Sequence, residues 1–290
     1  MRKITLGLAA LVLAMLSECT SIRAQNPLRI DLLAFNKENQ LVRNLTPGDI
    51  EATLDGQPLV VESLTWIPHP PPRMIVLVDA GYTALNNRSL LKDLVAAFLD
   101  SKPKYMRIAL GAISQPPQFL SAYETSNDEL VNNLQKIKLG GDSPLSDSIV
   151  ASLKRFESDS EATPGRRVLV LITDGTDSSS GDAWGQAVKT ITSGKYVLYL
   201  INHIQAMRAI FDYRFYDKDL IKLAEQTGGQ SYRLKNLDDI LKVSAEIYDR
   251  ETHTYRAVTR TETRVTGAES SRIKIRARRK DVRVEIVAVE

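Results

Sequence analysis

The 290-residue sequence predicts an α/β fold. The expected architecture is a doubly wound, mostly parallel sheet flanked by helices, with a small β module formed from the N- and C-terminal segments. Three observations carry that expectation. Between residues 74 and 250, short and wholly apolar runs alternate with stretches of helical periodicity, as strands covered by helices on both faces require. Outside that region, residues 27–67 read as short strands and turns, and after residue 250 polar and apolar residues alternate with period two. Pro68, Pro70, Pro71 and Pro72 mark the change of composition as an extended linker over residues 68–73.

Residues 1–24 read as an export signal: a basic start at Arg2 and Lys3, an apolar run from Ile4 to Leu16, then a polar stretch ending at Ala24. That run is short for a membrane span. Cys19 offers a lipid-attachment reading, but Glu18 before it fits a lipobox poorly, so cleavage after Ala24 is preferred. The expectation is an exported chain, periplasmic or secreted, with no transmembrane segment once the signal is removed. Residues 1–24 carry Arg2, Lys3, Arg23 and Glu18, a net +2 of the whole chain's +3, so the remainder is nearly neutral. That balance gives no support to a nucleic-acid partner, and none is expected. Cys19 is the one cysteine in the sequence, so no disulfide supports the exported part.

The segment 25–67 contains β-compatible pieces, "LRIDLLAF", "IEATLDG" and "PLVVESLTW", with a hairpin signal at Asp55-Gly56. From 74 to 250 the strand candidates are "MIVLVD", "RIALGAI", "RRVLVLITD" and "KYVLYLIN". Helical faces fall between them. Leu90, Leu91, Leu94, Val95 and Phe98 form one, and Ser126 with Glu129 makes a capping box ahead of Leu130 and Leu134. Leu145, Ile149, Leu153 and Phe156 form another, followed by Leu220, Leu223 and Ala224, then Leu237, Ile240, Leu241, Val243 and Ile247. In 251–290, "SRIKIRAR" and "DVRVEIVAV" return to strand alternation. Each end has few strands for an independent core, so the two are expected to fold together.

Three loops carry the chemistry-bearing residues. "MIVLVDAGYT" ends an apolar run on Asp79, with Gly81 and Thr83 following. "GGDSPLSDSI" brings Asp142 and Ser143 to the start of a helix. "VLITDGTDSSSGD" ends a strand at Asp174. In a parallel sheet these tips share the carboxyl edge, where ligands bind. Each residue also has a plain role: Asp79 and Asp174 suit turns, and Ser143 before Pro144 suits a helix N-cap. The loop "GTDSSSGD" is expected to be solvated and to cap the helix starting near Asp182.

The region 74–250 resembles a von Willebrand factor type A (VWFA) domain, and these loops resemble its metal-ion-dependent adhesion site, D-x-S-x-S plus a threonine and a second aspartate. The resemblance implies metal ligation by Asp79, Thr83, Ser143 and Asp174. It also implies a Mg²⁺ or Mn²⁺ ion and a protein partner whose acidic side chain completes the metal shell. Gly81 departs from the motif, standing at the first serine, and Asp142 replaces a usual glycine with another carboxylate. Gly81→Ser is therefore expected to tighten divalent binding, provided the backbone there needs no positive φ. The wider layout is similar to a group of secreted bacterial VWFA-related proteins first grouped from acidobacteria, through "GGDSPLSDSI", "LAEQTGG" and "LTPGDIEATLDGQP".

The resulting expectation is a non-enzymatic binding module with a degenerate adhesion site. One alternative is an envelope scaffold with a vestigial site. Another is a haloacid-dehalogenase-like phosphatase, since "DAGYT" resembles D-x-D-x-T. That chemistry needs a second aspartate as acid/base, which Gly81 does not supply. G-x-S-x-G, P-loop and G-x-G-x-x-G motifs are absent from the sequence.

Overall fold

The computed structural model describes residues 26–38, 40–68, 70–81, 88–124, 126–158, 166–179, 181–193, 196–202, 214–236, 238–261 and 271–289. The predicted signal segment, His69, Thr83, His203 and Leu237 lie outside them. The chain divides into two compact units, residues 67–254 and a second unit built from both ends of the chain.

Among the described residues, the larger unit holds a six-stranded sheet. Its strands are β5 (Arg73–Asp79), β6 (Ile108–Ile113), β7 (Gln118–Phe119), β8 (Arg167–Thr173), β9 (Tyr196–Asn202) and β10 (Gln230–Arg233), in the spatial order β10-β9-β8-β5-β6-β7. Neighbours are parallel except β6 and β7. The helices are α1 (Arg88–Asp100), α2 (Asn127–Leu134), α3 (Leu145–Ser158), α4 (Ala183–Ser193), α5 (Arg214–Gln226) and α6 (Asp239–Thr252).

The apolar strands bury both faces because alternate residues serve alternate layers. Met74, Val76 and Val78 of β5 pack with Leu91, Val95 and Phe98 of α1 and with Ile240 and Ile247 of α6. Ile75 and Leu77 pack instead with Ile149, Leu153 and Phe156 of α3 and with Leu220 and Leu223 of α5. Trp184 of α4 is half-buried against this second layer. Leu90 and Leu241, placed on helical faces by periodicity, are 44% and 49% exposed, so those faces are narrower than the leucine pattern suggests.

The smaller unit contains β1 (Asn26–Phe35), β2 (Ile50–Leu54), β3 (Gln57–Leu59), β4 (Val61–Pro68), β11 (His253–Thr261), β12 (Ile273–Ala277) and β13 (Arg283–Val289). One sheet has the order β13-β1-β11-β4 and the other β12-β2-β3. Strand β1 pairs antiparallel with both β11 and β13, so the ends of the chain interleave. Asp55 and Gly56 take φ of 50° and 83° between β2 and β3, the left-handed pair that a two-residue hairpin of the right twist needs. Tyr255 anchors the core: its ring meets Trp66 edge-on at 4.9 Å, and its hydroxyl accepts the Leu45 amide at 3.1 Å. Asp31, nearly buried on β1, is bound by Arg256 through two 2.8 Å hydrogen bonds from the facing register of β11. Arg276 of β12 pairs with Glu51 of β2, and Arg272, just before β12, pairs with Asp55 in the hairpin turn, both at 2.6 Å.

Candidate functional site

The chain runs from β5 to β6 on one side of β5 and later returns to β8 on the other. The sheet therefore reverses its winding between β5 and β8, the point at whose carboxyl ends open α/β sheets bind ligands. Asp79 is the last residue of β5, and Asp174 follows β8 directly. Topology thus brings together two acids that are 95 positions apart in sequence.

Asp79 is 1% exposed, and the protein itself satisfies its carboxylate. Oδ1 accepts the Ser143 hydroxyl at 2.6 Å and the Gly81 amide at 2.9 Å, and Oδ2 accepts the Thr173 hydroxyl at 2.7 Å. Burial raises the Asp79 pKa and the neighbouring Asp174 carboxylate raises it further, while the Ser143, Gly81 and Thr173 bonds oppose that shift. Asp174 is half-buried, and its Oδ1 accepts the Thr176 amide at 2.8 Å and the Thr176 hydroxyl.

Ser143 belongs to the loop before α3, where Gly140 and Gly141 take φ of 105° and 98°, a backbone that β-carbon-bearing residues avoid. Gly140 donates to the Ala80 carbonyl at 2.7 Å and fixes this loop against the β5 tip. The hydroxyl of Ser143 goes to Asp79 and does not cap α3, contrary to its plain reading as an N-cap. The helix instead starts from the Pro144 carbonyl, which accepts the Ser148 amide at 3.0 Å.

The capping of α3 comes from the loop after Asp174. Asp177 accepts the Ser146 amide at 3.3 Å and the Ser146 hydroxyl, and the Ser179 hydroxyl accepts the Asp147 amide at 3.0 Å. The Ser178 amide donates to the Ser143 carbonyl at 2.9 Å. This loop was expected to serve the helix near Asp182, and Asp182 does accept the Gln186 amide at 3.1 Å through its carbonyl. Its acidic and hydroxyl side chains, however, tie the Asp174 loop to Ser143 and α3.

Of the sequence-predicted residues, Asp79, Ser143, Gly81 and Asp174 converge, and Asp142 is exposed beside Ser143. Thr83 lies outside the described residues. Thr173, Thr176 and Asp177 were not anticipated as parts of the site, although a hydroxyl directly before Asp174 was a signal for the first. Gly81 lacks a positive φ, so its backbone does not demand glycine. A β-carbon built there overlaps the Ser143 hydroxyl oxygen and stands 3.2 Å from both Ser143 Cβ and Asp79 Oδ1. The space that a serine at 81 would occupy is filled.

No family profile matches this chain, and no curated protein matches it. Solved structures do. One, described as von Willebrand factor type A from Catenulispora acidiphila, is 10% identical with a TM-score of 0.54, over 91% of this chain and 73% of that one. Another, the manganese-loaded TRAP protein of Plasmodium vivax, is 9% identical with a TM-score of 0.50, over 67% of this chain and 80% of that one. Likeness at such identities speaks to fold. With its mostly parallel sheet, its two helical layers and its winding reversal beside Asp79, the α/β unit has the fold of a von Willebrand factor type A domain.

Proposed function

We propose that this chain is a non-enzymatic, exported binding module that holds a protein partner at the carboxyl edge of its α/β unit, through a degenerate metal-ion-dependent adhesion site. The carrying observation is the convergence of Asp79, Ser143 and Asp174 where the sheet reverses its winding. These donors suit Mg²⁺ or Mn²⁺, because hard cations take carboxylate and hydroxyl oxygens. Asp79, Ser143 and Asp174 would hold the ion, which supplies a positive charge that an acidic side chain of the partner completes. The manganese-loaded structural neighbour supports this choice of ion. Export is read from the N-terminal pattern, and the secreted bacterial VWFA-related group is the kin this layout suggests.

The protein groups around Asp79 argue against covalent catalysis. A nucleophilic carboxylate of this kind needs a nearby acid/base, and Gly81 offers no proton-transfer group. Asp79 is held instead by donors on both of its oxygens. The same hydrogen bonds favour a second reading, a scaffold whose site is complete without an ion.

Calorimetry with Mn²⁺ and capture of the partner from the native envelope fraction, with and without chelator, separate the two. The native chain is expected to bind Mn²⁺ weakly, to lose it in Asp79→Ala and Asp174→Ala, and to release its partner on chelation. A partner retained equally in chelator would assign recognition elsewhere and favour the scaffold.

A further inference from the structure

The geometry points to Gly81 and Ser143 as one coupled element: the missing side chain at 81 lets the Ser143 hydroxyl stand on Asp79, so that Ser143 joins Thr173 in positioning this carboxylate. Gly81 is thus a requirement of the Ser143 arrangement and is not a simple loss of a ligand. The part of this inference that concerns metal rests on the reading above, whereas the steric coupling stands without it.

Four contacts make the coupling strict. Ser143 is pinned through its own backbone, because its carbonyl accepts the Ser178 amide and the Leu145 amide, both at 2.9 Å. The loop before it is held to the β5 tip by the 2.7 Å bond from Gly140 to Ala80. Gly81 is held in turn by its own amide, which donates to Asp79 Oδ1 at 2.9 Å. Neither backbone is therefore free to retreat when a β-carbon is added at 81. The collision with the Ser143 hydroxyl is relieved by turning that side chain, which breaks its 2.6 Å bond to Asp79. Removing the hydroxyl leaves the Ser143 β-carbon and Asp79 Oδ1, each at 3.2 Å, tight contacts that small shifts relieve.

The expected response of Gly81→Ser is thereby reversed. A serine at 81 displaces the hydroxyl already present on Asp79, so the substitution weakens divalent binding while Ser143 is in place. Positions 81 and 143 are compatible as glycine with serine, or as serine with alanine.

A double-mutant cycle on the full chain tests this, with urea unfolding in EDTA as the first measurement. Gly81→Ala in the native background is expected to shift the unfolding equilibrium about tenfold or more toward the unfolded state, as overpacking does. In a Ser143→Ala background the same change should cost only about a few fold. Equal costs in both backgrounds overturn the coupling. If Gly81→Ala alone does not fold, recovery of folding in Gly81→Ala/Ser143→Ala supports it, and failure of both overturns it. The second measurement is Mn²⁺ titration followed by paramagnetic resonance. Gly81→Ser should bind Mn²⁺ more weakly than the native chain, and Gly81→Ser/Ser143→Ala should regain affinity. Tighter binding by Gly81→Ser alone overturns the assignment of Ser143. A native chain that binds no Mn²⁺ yet shows the urea coupling removes the metal reading and upholds the steric one.

Discussion

Asp79 concentrates the conflict between stability and function in this site. A carboxylate with this burial, beside Asp174, is held at a free-energy cost that its three donors only partly offset. Its folded pKa lies above the unfolded value, so its contribution to stability is fully present below the ordinary carboxylate range. That contribution is lost as pH rises through the folded pKa. Asp79→Asn keeps an acceptor oxygen for Ser143 and Gly81 and removes the charge. In chelator at neutral pH it should unfold at higher urea than the native chain, and the gap should close on acidification. In Mg²⁺ the order should narrow or reverse, because only the native carboxylate gains from the cation. A neutral-pH midpoint below that of the native protein in chelator would show that the charge is not a burden. Little of this was legible beforehand. The acid at the strand tip and its loop partners could be read, but the donors on both oxygens could not, since Ser143 and Thr173 are 64 and 94 positions away.

At the scale of elements, the loop after β8 acts as a cap for a helix it does not precede. Capping rules look a few residues along the chain, and they pointed to Ser143 for α3 and to Asp182 for α4. Asp177 reaches Ser146 from 31 positions away, so only the parallel arrangement of β5 and β8 could reveal it. Asp177→Ala should cost about 1 kcal/mol of stability, the usual value of a lost cap. Urea denaturation measures it, with Asp182→Ala as a comparison expected to cost less, since the Asp182 contact to Gln186 is made by its carbonyl. Equal losses for the two would place α3 outside the control of this loop. The apolar runs of β5, β6, β8 and β9 were readable because burial on both faces leaves no polar position to confuse the pattern. Strands β7 and β10 sit at the sheet edges, carry few apolar residues and left no such trace.

For the whole molecule, the consequential feature is that β1 lies between β11 and β13. Strand β1 is flanked by strands more than two hundred residues further along the chain, as the 225-position span from Asp31 to Arg256 shows. Closing so long a loop from an unfolded chain is slow. Once residues 67–254 have folded, β4 and β11 are already neighbours, and the remaining closure is short. The α/β unit should therefore fold first. The two tryptophans report the order, because Trp184 packs in the α/β unit and Trp66 against Tyr255 in the other. In stopped-flow refolding, Trp66→Phe should show the faster fluorescence phase and Trp184→Phe the slower one. A leading Trp66 signal would mean that the ends associate before the middle. The interleaving also makes the outer side of β1 depend on β13. A product stopped before Arg283 leaves the outer hydrogen-bonding groups of β1 bare beside its apolar residues, an edge that invites aggregation or proteolysis.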